Sequence, residues 1–347
     1  AVTVDASATQ QKINLQAGGK YNITLPLTGG QPGDGTVSIK LSNASGMSLD
    51  QSVDIPVRPA QLPVTERRII ALAPGKSLTV NADLLADSVL PGASVSLNVS
   101  RSNAFDIPGL LMSLSRYPYG CAEQTASGAL PLLYFSDMAV KNGLADDAEI
   151  HKRVQDAIYR EMSYQSSTGS FGLWSPGSGD LWLDSYVTDF LTRAREQKYN
   201  VPDQAMVQAL ENLQNALSAN TNVKDNGNEI AYALYVLARN KKASISDLRY
   251  YADTMLNDFP TPLSKAHLAA ALSLYGDAQR SRNIFIDALQ MSQKAAATKV
   301  SFVRSDYGSS LRDGAAVLAL AAESRPVPPI IPELASVVAK DWQTKKY

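Results

Sequence analysis

The spacing of apolar residues changes near residue 104, and that change constrains the fold of this chain more than any other feature. Upstream the period is two. Val37, Ile39 and Leu41 alternate with Thr36, Ser38 and Lys40, and Val53, Ile55 and Val57 repeat the pattern. Leu78 with Val80, and Val95 with Leu97 and Val99, do the same. Period-two spacing puts those side chains on one face of a strand. Gly and Pro clusters such as Gly29-Gly30-Gln31-Pro32-Gly33 and Pro74-Gly75 separate the runs, as in antiparallel sandwiches. Downstream the period is helical: Ile150, Val154, Ile158 and Met162 form one stripe, and Leu210, Leu213 and Leu217 another. Roughly ten helices joined by short loops follow from such stripes. A single all-β or all-α domain is therefore excluded.

At 347 residues the chain has room for two or three domains. A net charge of −1 gives no electrostatic case for nucleic acid or an anionic membrane. No apolar run reaches membrane-spanning length. Residues 59–63, with two prolines, predict an extended linker. Within the helical part, Pro202 suits a first helical position, and Asp225-Asn226-Gly227-Asn228 predicts a break before Glu229. Pro262, Asp277 and Ser309 suit further helix starts.

The one cysteine falls in Tyr117-Pro118-Tyr119-Gly120-Cys121-Ala122-Glu123-Gln124. Taken alone, a single cysteine is most simply an inert buried residue. The glutamine three positions on opens a second reading. A tight turn would bring the Cys121 sulfur to the Gln124 side-chain carbonyl, and attack with loss of ammonia would close an internal thioester. Gln124 would then be the acyl donor in any later bond. Residues 125–135 predict a helix, short or kinked at Pro131, whose N-terminus would stabilise a leaving thiolate and an oxyanion. Glu123 would orient a backbone donor there or simply be a first-turn acid. Gly120 lets the chain bend toward Tyr117, the first choice of lid against water, with Tyr119 beside it. Phe171, Trp174, Trp182 and Tyr186 are candidates for a surrounding wall, with ordinary core packing as their plain reading. No residue set points to a metal or a cofactor.

The octapeptide, followed by Thr125, closely resembles the thioester segment of the α2-macroglobulin family, which includes complement proteins. Gly169-Ser170-Phe171-Gly172-Leu173-Trp174 and Leu181-Trp182-Leu183-Asp184-Ser185-Tyr186 resemble later stretches of the same family's thioester domain, as does Asp306-Tyr307-Gly308-Ser309. The resemblance covers roughly residues 60 to 347, and bacterial members match best. It implies a multidomain architecture: the C-terminal part of a macroglobulin-like β-sandwich over residues 1–62, a first CUB β-segment over 63–104, and an all-α thioester domain, an α/α toroid lacking its last helices, over 105–347. It further implies a single-turnover peptidase inhibitor, not an enzyme. Cleavage of a bait region elsewhere would expose the Cys121–Gln124 thioester, and lysines of the target protease would attack Gln124. Complement-type members interpose a histidine. The region before Asn226 to Ala231 holds none, which favours direct attack by amines. Other domains of a longer chain would be partners. A periplasmic location, anchored by lipid at the inner membrane, comes from the resemblance alone.

Three other readings compete. A cysteine nucleophile would need His151 or His267 as base, the two histidines of the chain. A toroid-type glycosidase would need acids such as Asp180, Asp184 and Asp189. A plain interaction module would never form the ring.

Overall fold

A computed structural model of the chain describes residues 1–58, 72–88, 120–141, 146–220, 222–297 and 308–344, with isolated positions 68, 70, 93, 95, 97, 99, 110 and 306. The linker at 59–63, the boundaries expected at 62 and 104, and Tyr117, Pro118, Tyr119 and Tyr307 lie outside them. The chain divides into two compact units, Ala1–Ser100 and Arg101–Tyr347.

The first unit follows its period-two pattern. Strand β1 (Val2–Val4) pairs antiparallel with β2 (Leu27–Gly29). Strands β3 (Gly33–Ser42) and β4 (Ser48–Val57) form a longer antiparallel hairpin with Val37 opposite Val53 and Leu41 opposite Leu49. The Asn43 side chain closes its turn by accepting the Ser45 and Met47 backbone N–H groups at 3.1 and 3.0 Å. Val37 is buried, but Ile39, Leu41, Leu49 and Val53 are exposed. The described residues thus form two ribbons, and among the described residues no second layer packs on their apolar face. Leu78 and Val80 lie in no strand and are exposed, although the turn at Pro74-Gly75 does form. Alternation supplies a face, while a strand also needs a partner ladder.

In the second unit eleven α-helices are delimited among the described residues. They are α1 (Ala122–Ala129), α2 (Leu132–Lys141), α3 (Asp147–Met162), α4 (Leu181–Glu196), α5 (Asp203–Ala219), α6 (Val223–Arg239), α7 (Ile245–Thr254), α8 (Pro262–Leu274), α9 (Ala278–Ala297), α10 (Ser310–Glu323) and α11 (Ile331–Thr344). Burial alternates along the order. Helices α4, α6 and α8 are buried nearly all round, whereas α3, α5 and α7 bury a single stripe. An all-round apolar helix must be an inner one, and a one-stripe helix an outer one. Inner α6 accordingly packs between α4 and α8, and α8 packs against α9 and α10. Side-chain caps set many of the starts. Asp146, Asp180 and Ser309 accept backbone N–H groups three residues on, and Thr261 with Ser264 forms a capping box ahead of Pro262.

The inner helices are tied by charge. The Arg193 guanidinium bonds Asp189 at 2.8 Å, Glu323 at 2.7 Å and the Tyr235 hydroxyl at 2.8 Å, joining α4, α6 and α10. Arg239 holds the other oxygen of Glu323 at 2.8 Å.

Several local expectations are corrected. The helix expected over 125–135 starts earlier, at Ala122, and is two helices parted at Leu130 and Pro131, because Pro131 has no N–H for the ladder. Pro202 is the residue before α5 and not its first. The break at Asp225–Asn228 is a kink at Asn226 inside one continuous α6, whose cap is Asn222. Packing of α6 between two neighbours carries the helix through the unfavourable Asn-Gly pair.

Candidate functional site

Cys121 is the N-cap residue of α1, extended at φ −68° and ψ 166°, and 4% exposed. Ala122, Glu123 and Gln124 are then the first three helical positions. The third helical residue is the one whose side chain can reach back over the cap, as the capping box does with Glu or Gln. The Cys-x-x-Gln spacing is thus the spacing at which a helix start faces a sulfur with a carboxamide. The Gln124 carbonyl oxygen is buried and has no hydrogen-bond partner. The sulfur makes no capping hydrogen bond either. Burial pushes the Cys121 thiol above its usual pKa, opposed by the backbone N–H groups of Gln124 and Glu123 and helped by the carboxylates of Glu123 and Glu161.

Two segments hold this turn. The Ala122 N–H donates to the Leu173 carbonyl at 2.9 Å, which ties the start of α1 to the Gly169–Trp174 motif. At the C-terminal end of α3, the Tyr164 hydroxyl donates to the Gly120 carbonyl at 2.6 Å and accepts from Arg160 Nε at 2.9 Å. A Cβ at Gly120 would lie 2.4 Å from the Arg160 guanidinium, so a side chain there would displace this clasp.

The Gly169–Trp174 motif is itself anchored by buried Asp184. Its carboxylate accepts from the Phe171 N–H at 2.7 Å, the Ser170 hydroxyl at 2.9 Å and Asn212 Nδ2 at 2.7 Å. Burial still pushes its pKa up in spite of these bonds. Gly169 sits at φ +91°, and a Cβ there would lie 2.1 Å from the Gln208 carbonyl oxygen.

The aromatic candidates separate. Trp182 and Tyr186 stack with centroids 5.0 Å apart, and Tyr186 shares a 2.8 Å hydrogen bond with Ser127. Ser127 donates to Glu123 at 2.7 Å, which joins this stack to the second turn of α1 and the first-turn acid. Phe171 is fully buried. Trp174 is 62% exposed, on the bend after Leu173, and takes no part in the stack. Tyr117 and Tyr119 lie outside the described residues.

Sequence reasoning missed Arg160, Glu161, Tyr164 and Ser127. A signal for Glu161 was present. The stripe Ile150, Val154, Ile158 continues at i+3 onto Glu161, which is buried, while Met162 is only half-buried. Both Glu161 carboxyl oxygens lack hydrogen-bond partners, and burial pushes the group up to about 9.

The rival constellations are accounted for structurally. His151 is exposed and stacks on Tyr199 at 4.6 Å. His267 is buried against Tyr232 and Tyr235, and burial holds its pKa well below the usual value. Among the described residues neither histidine accompanies Cys121, and burial raises its pKa, whereas a catalytic thiol needs a lowered one. Asp180 caps α4, Asp184 anchors the motif loop and Asp189 pairs with Arg193. No group of three metal-ligating side chains occurs among the described residues.

Residues 93–234 match the family model described as the A-macroglobulin TED domain. An α2-macroglobulin of Escherichia coli K12 is 32% identical over 91% of this chain, which spans 20% of that protein. The chain belongs to the bacterial α2-macroglobulin family. An α2-macroglobulin of Xylella fastidiosa Temecula1 is 28% identical over 97% of the chain and is covered to 21%. Among solved structures, native E. coli α2-macroglobulin superposes with a TM-score of 0.69 at 29% identity, covering 92% of this chain and 21% of that one. A Salmonella α2-macroglobulin reacted with methylamine gives 0.71 at 28%, covering 93% and 22%. The chain thus spans about a fifth of the length of these curated α2-macroglobulins.

Proposed function

We propose that this chain is the thioester-bearing region of a protease trap of the bacterial α2-macroglobulin type. The observation that carries the reading is the placing of Cys121 at the cap and Gln124 at the third position of one helix start, buried, with the Gln124 carbonyl oxygen unpartnered. Attack of Sγ on the Gln124 carbonyl carbon expels ammonia and stores an activated acyl group. Burial keeps water from it. When the site opens, a lysine Nζ of the captured protease attacks the same carbon, an isopeptide bond forms, and Cys121 is released as a thiol. The helix N-terminus favours both the oxyanion and the departing sulfur. Each chain reacts once, so it is an inhibitor and not a turnover catalyst.

Further support comes from relatives. The Salmonella protein has been reacted with methylamine, and E. coli forms activated by trypsin and by porcine elastase superpose on this chain with TM-scores of 0.56 and 0.59. Target proteases are therefore the proposed partners, with other domains of a longer chain. The domain reading extends the proposal: macroglobulin-like sandwich over 1–62, first CUB segment over 63–104, α/α toroid over 105–347. Trp182 and Tyr186 form part of the wall over the ring, and Tyr117 and Tyr119 its lid. A periplasmic, inner-membrane-anchored parent completes it.

Native intact mass tests the ring. The fresh chain should be lighter by one ammonia with its thiol blocked. Methylamine should add to Gln124 and free one thiol per chain, and Cys121→Ser should do neither. A fresh chain of full mass with a titratable thiol overturns the reading.

A further inference from the structure

Glu161 is a buried carboxyl that nothing in the fold uses. It is 0% exposed, and neither of its oxygens has a hydrogen-bond partner. It lies in the last turn of α3, between Arg160, which packs on Gly120, and Tyr164, which holds the Gly120 carbonyl. Helix α3 packs against α1, where the Ala126 backbone N–H faces the Glu161 carboxyl, and the charges of Glu123 and Glu161 add to burial in raising the Cys121 pKa. An unpaired buried acid costs stability, so a neutral form is expected and an ionised one resisted. The charged groups that face it are Arg160 on its own helix and Glu123 on α1.

Resting on the thioester reading above, we propose that Glu161 is the proton relay of the ring, protonating the Cys121 sulfur as the acyl–sulfur bond breaks. The dry site makes this necessary, since burial disfavours a Cys121 thiolate. As the amine nitrogen bonds to the Gln124 carbonyl carbon, it must lose a proton. As the carbon–sulfur bond breaks, Sγ keeps the electron pair and must gain one. Neutral Glu161 gives its proton to sulfur, and its transient carboxylate takes the proton shed by nitrogen, so it ends as it began. A carboxyl has two oxygens, so it can give a proton at one and accept at the other. With burial holding the carboxyl near 9, its proton affinity is brought into the range of a thiol's, which favours transfer in either direction.

The test uses the full chain as wild type, Glu161→Gln, Glu161→Leu and Glu161→Asp. Intact mass and thiol titration first establish which chains carry the ring. Thiol release by methylamine is then followed against pH at a fixed concentration of free amine. Ring-bearing Glu161→Gln and Glu161→Leu should release thiol about 10²-fold more slowly, and Glu161→Asp should recover part of the rate. The wild-type profile should bend near pH 9 where both variants show no such bend. A ring-bearing Glu161→Gln or Glu161→Leu chain that opens at the wild-type rate with the wild-type profile overturns the relay and leaves the ring standing. A wild type with no ring overturns both, and the mass alone tells the two failures apart.

Discussion

A single residue, Glu161, carries the largest local cost near the site. Neither carboxyl oxygen is paired, and the group sits where an apolar side chain would continue the stripe of α3. Replacing it by Leu should stabilise the chain by about 1–3 kcal/mol, read by urea unfolding at neutral pH. The pH dependence has a definite sign. Its pKa is raised from 4.5 to about 9, so between those values the folded chain binds a proton that the unfolded chain has lost. Stability tied to the neutral group is full below pH 4.5 and is lost as pH rises through about 9. The melting temperature of wild type should therefore fall relative to Glu161→Gln from about pH 5 to pH 9; a constant difference would show that Glu161 does not titrate in this window. Cys121 and Gln124 were legible from spacing, because capping geometry is local. Tyr164 and Arg160 were not, because their meeting with Gly120 is a tertiary contact between segments far apart in sequence, whereas Glu161 lay on the readable stripe of α3.

Among elements, the Gly169–Trp174 loop shows how far pattern reading goes. Its resemblance marks the segment, and aromatic identity alone points to Phe171 and Trp174 as wall residues. Phe171 turns inward because its N–H is fixed by Asp184, while Trp174 faces solvent beyond the last anchored residue. Alternation along a motif cannot tell these apart, since the anchor lies on another helix. Gly169→Ala should be costly, because the φ is +91° and the new methyl would meet the Gln208 backbone at 2.1 Å. A loss above about 2 kcal/mol is expected, with earlier opening of the thiol to reagent. An unchanged melting temperature would mean that the loop shifts freely on α5. Helix starts were read well where a side chain does the capping, as at Ser309, and poorly at Asn226, where neighbours overrule a local breaker.

For the whole molecule, the inner helices depend on Arg193. It joins α4 to α6 and to α10, far along the chain. Arg193→Ala would leave Asp189 and Tyr235 facing a void and should cost about 3–5 kcal/mol by denaturant unfolding. Burial acts to raise Glu323, yet Arg193 and Arg239 outweigh it and hold its pKa below 4.5. Its share of stability is present above that value and fades as pH falls, and Arg193→Ala should flatten this acid limb. Period showed the number of helices but not which are inner and which outer, and the β-rich first unit was legible only as strands, since neither pattern says what covers a face. The bond from Ala122 to Leu173 has a temporal meaning. A ribosome releases the cysteine well before the loop that steadies it. The Cys121 turn cannot be locked in place until that later stretch has emerged and docked on α4. A ring of the proposed kind would therefore close only after the crowded early stage of synthesis, once the catch that steadies it exists.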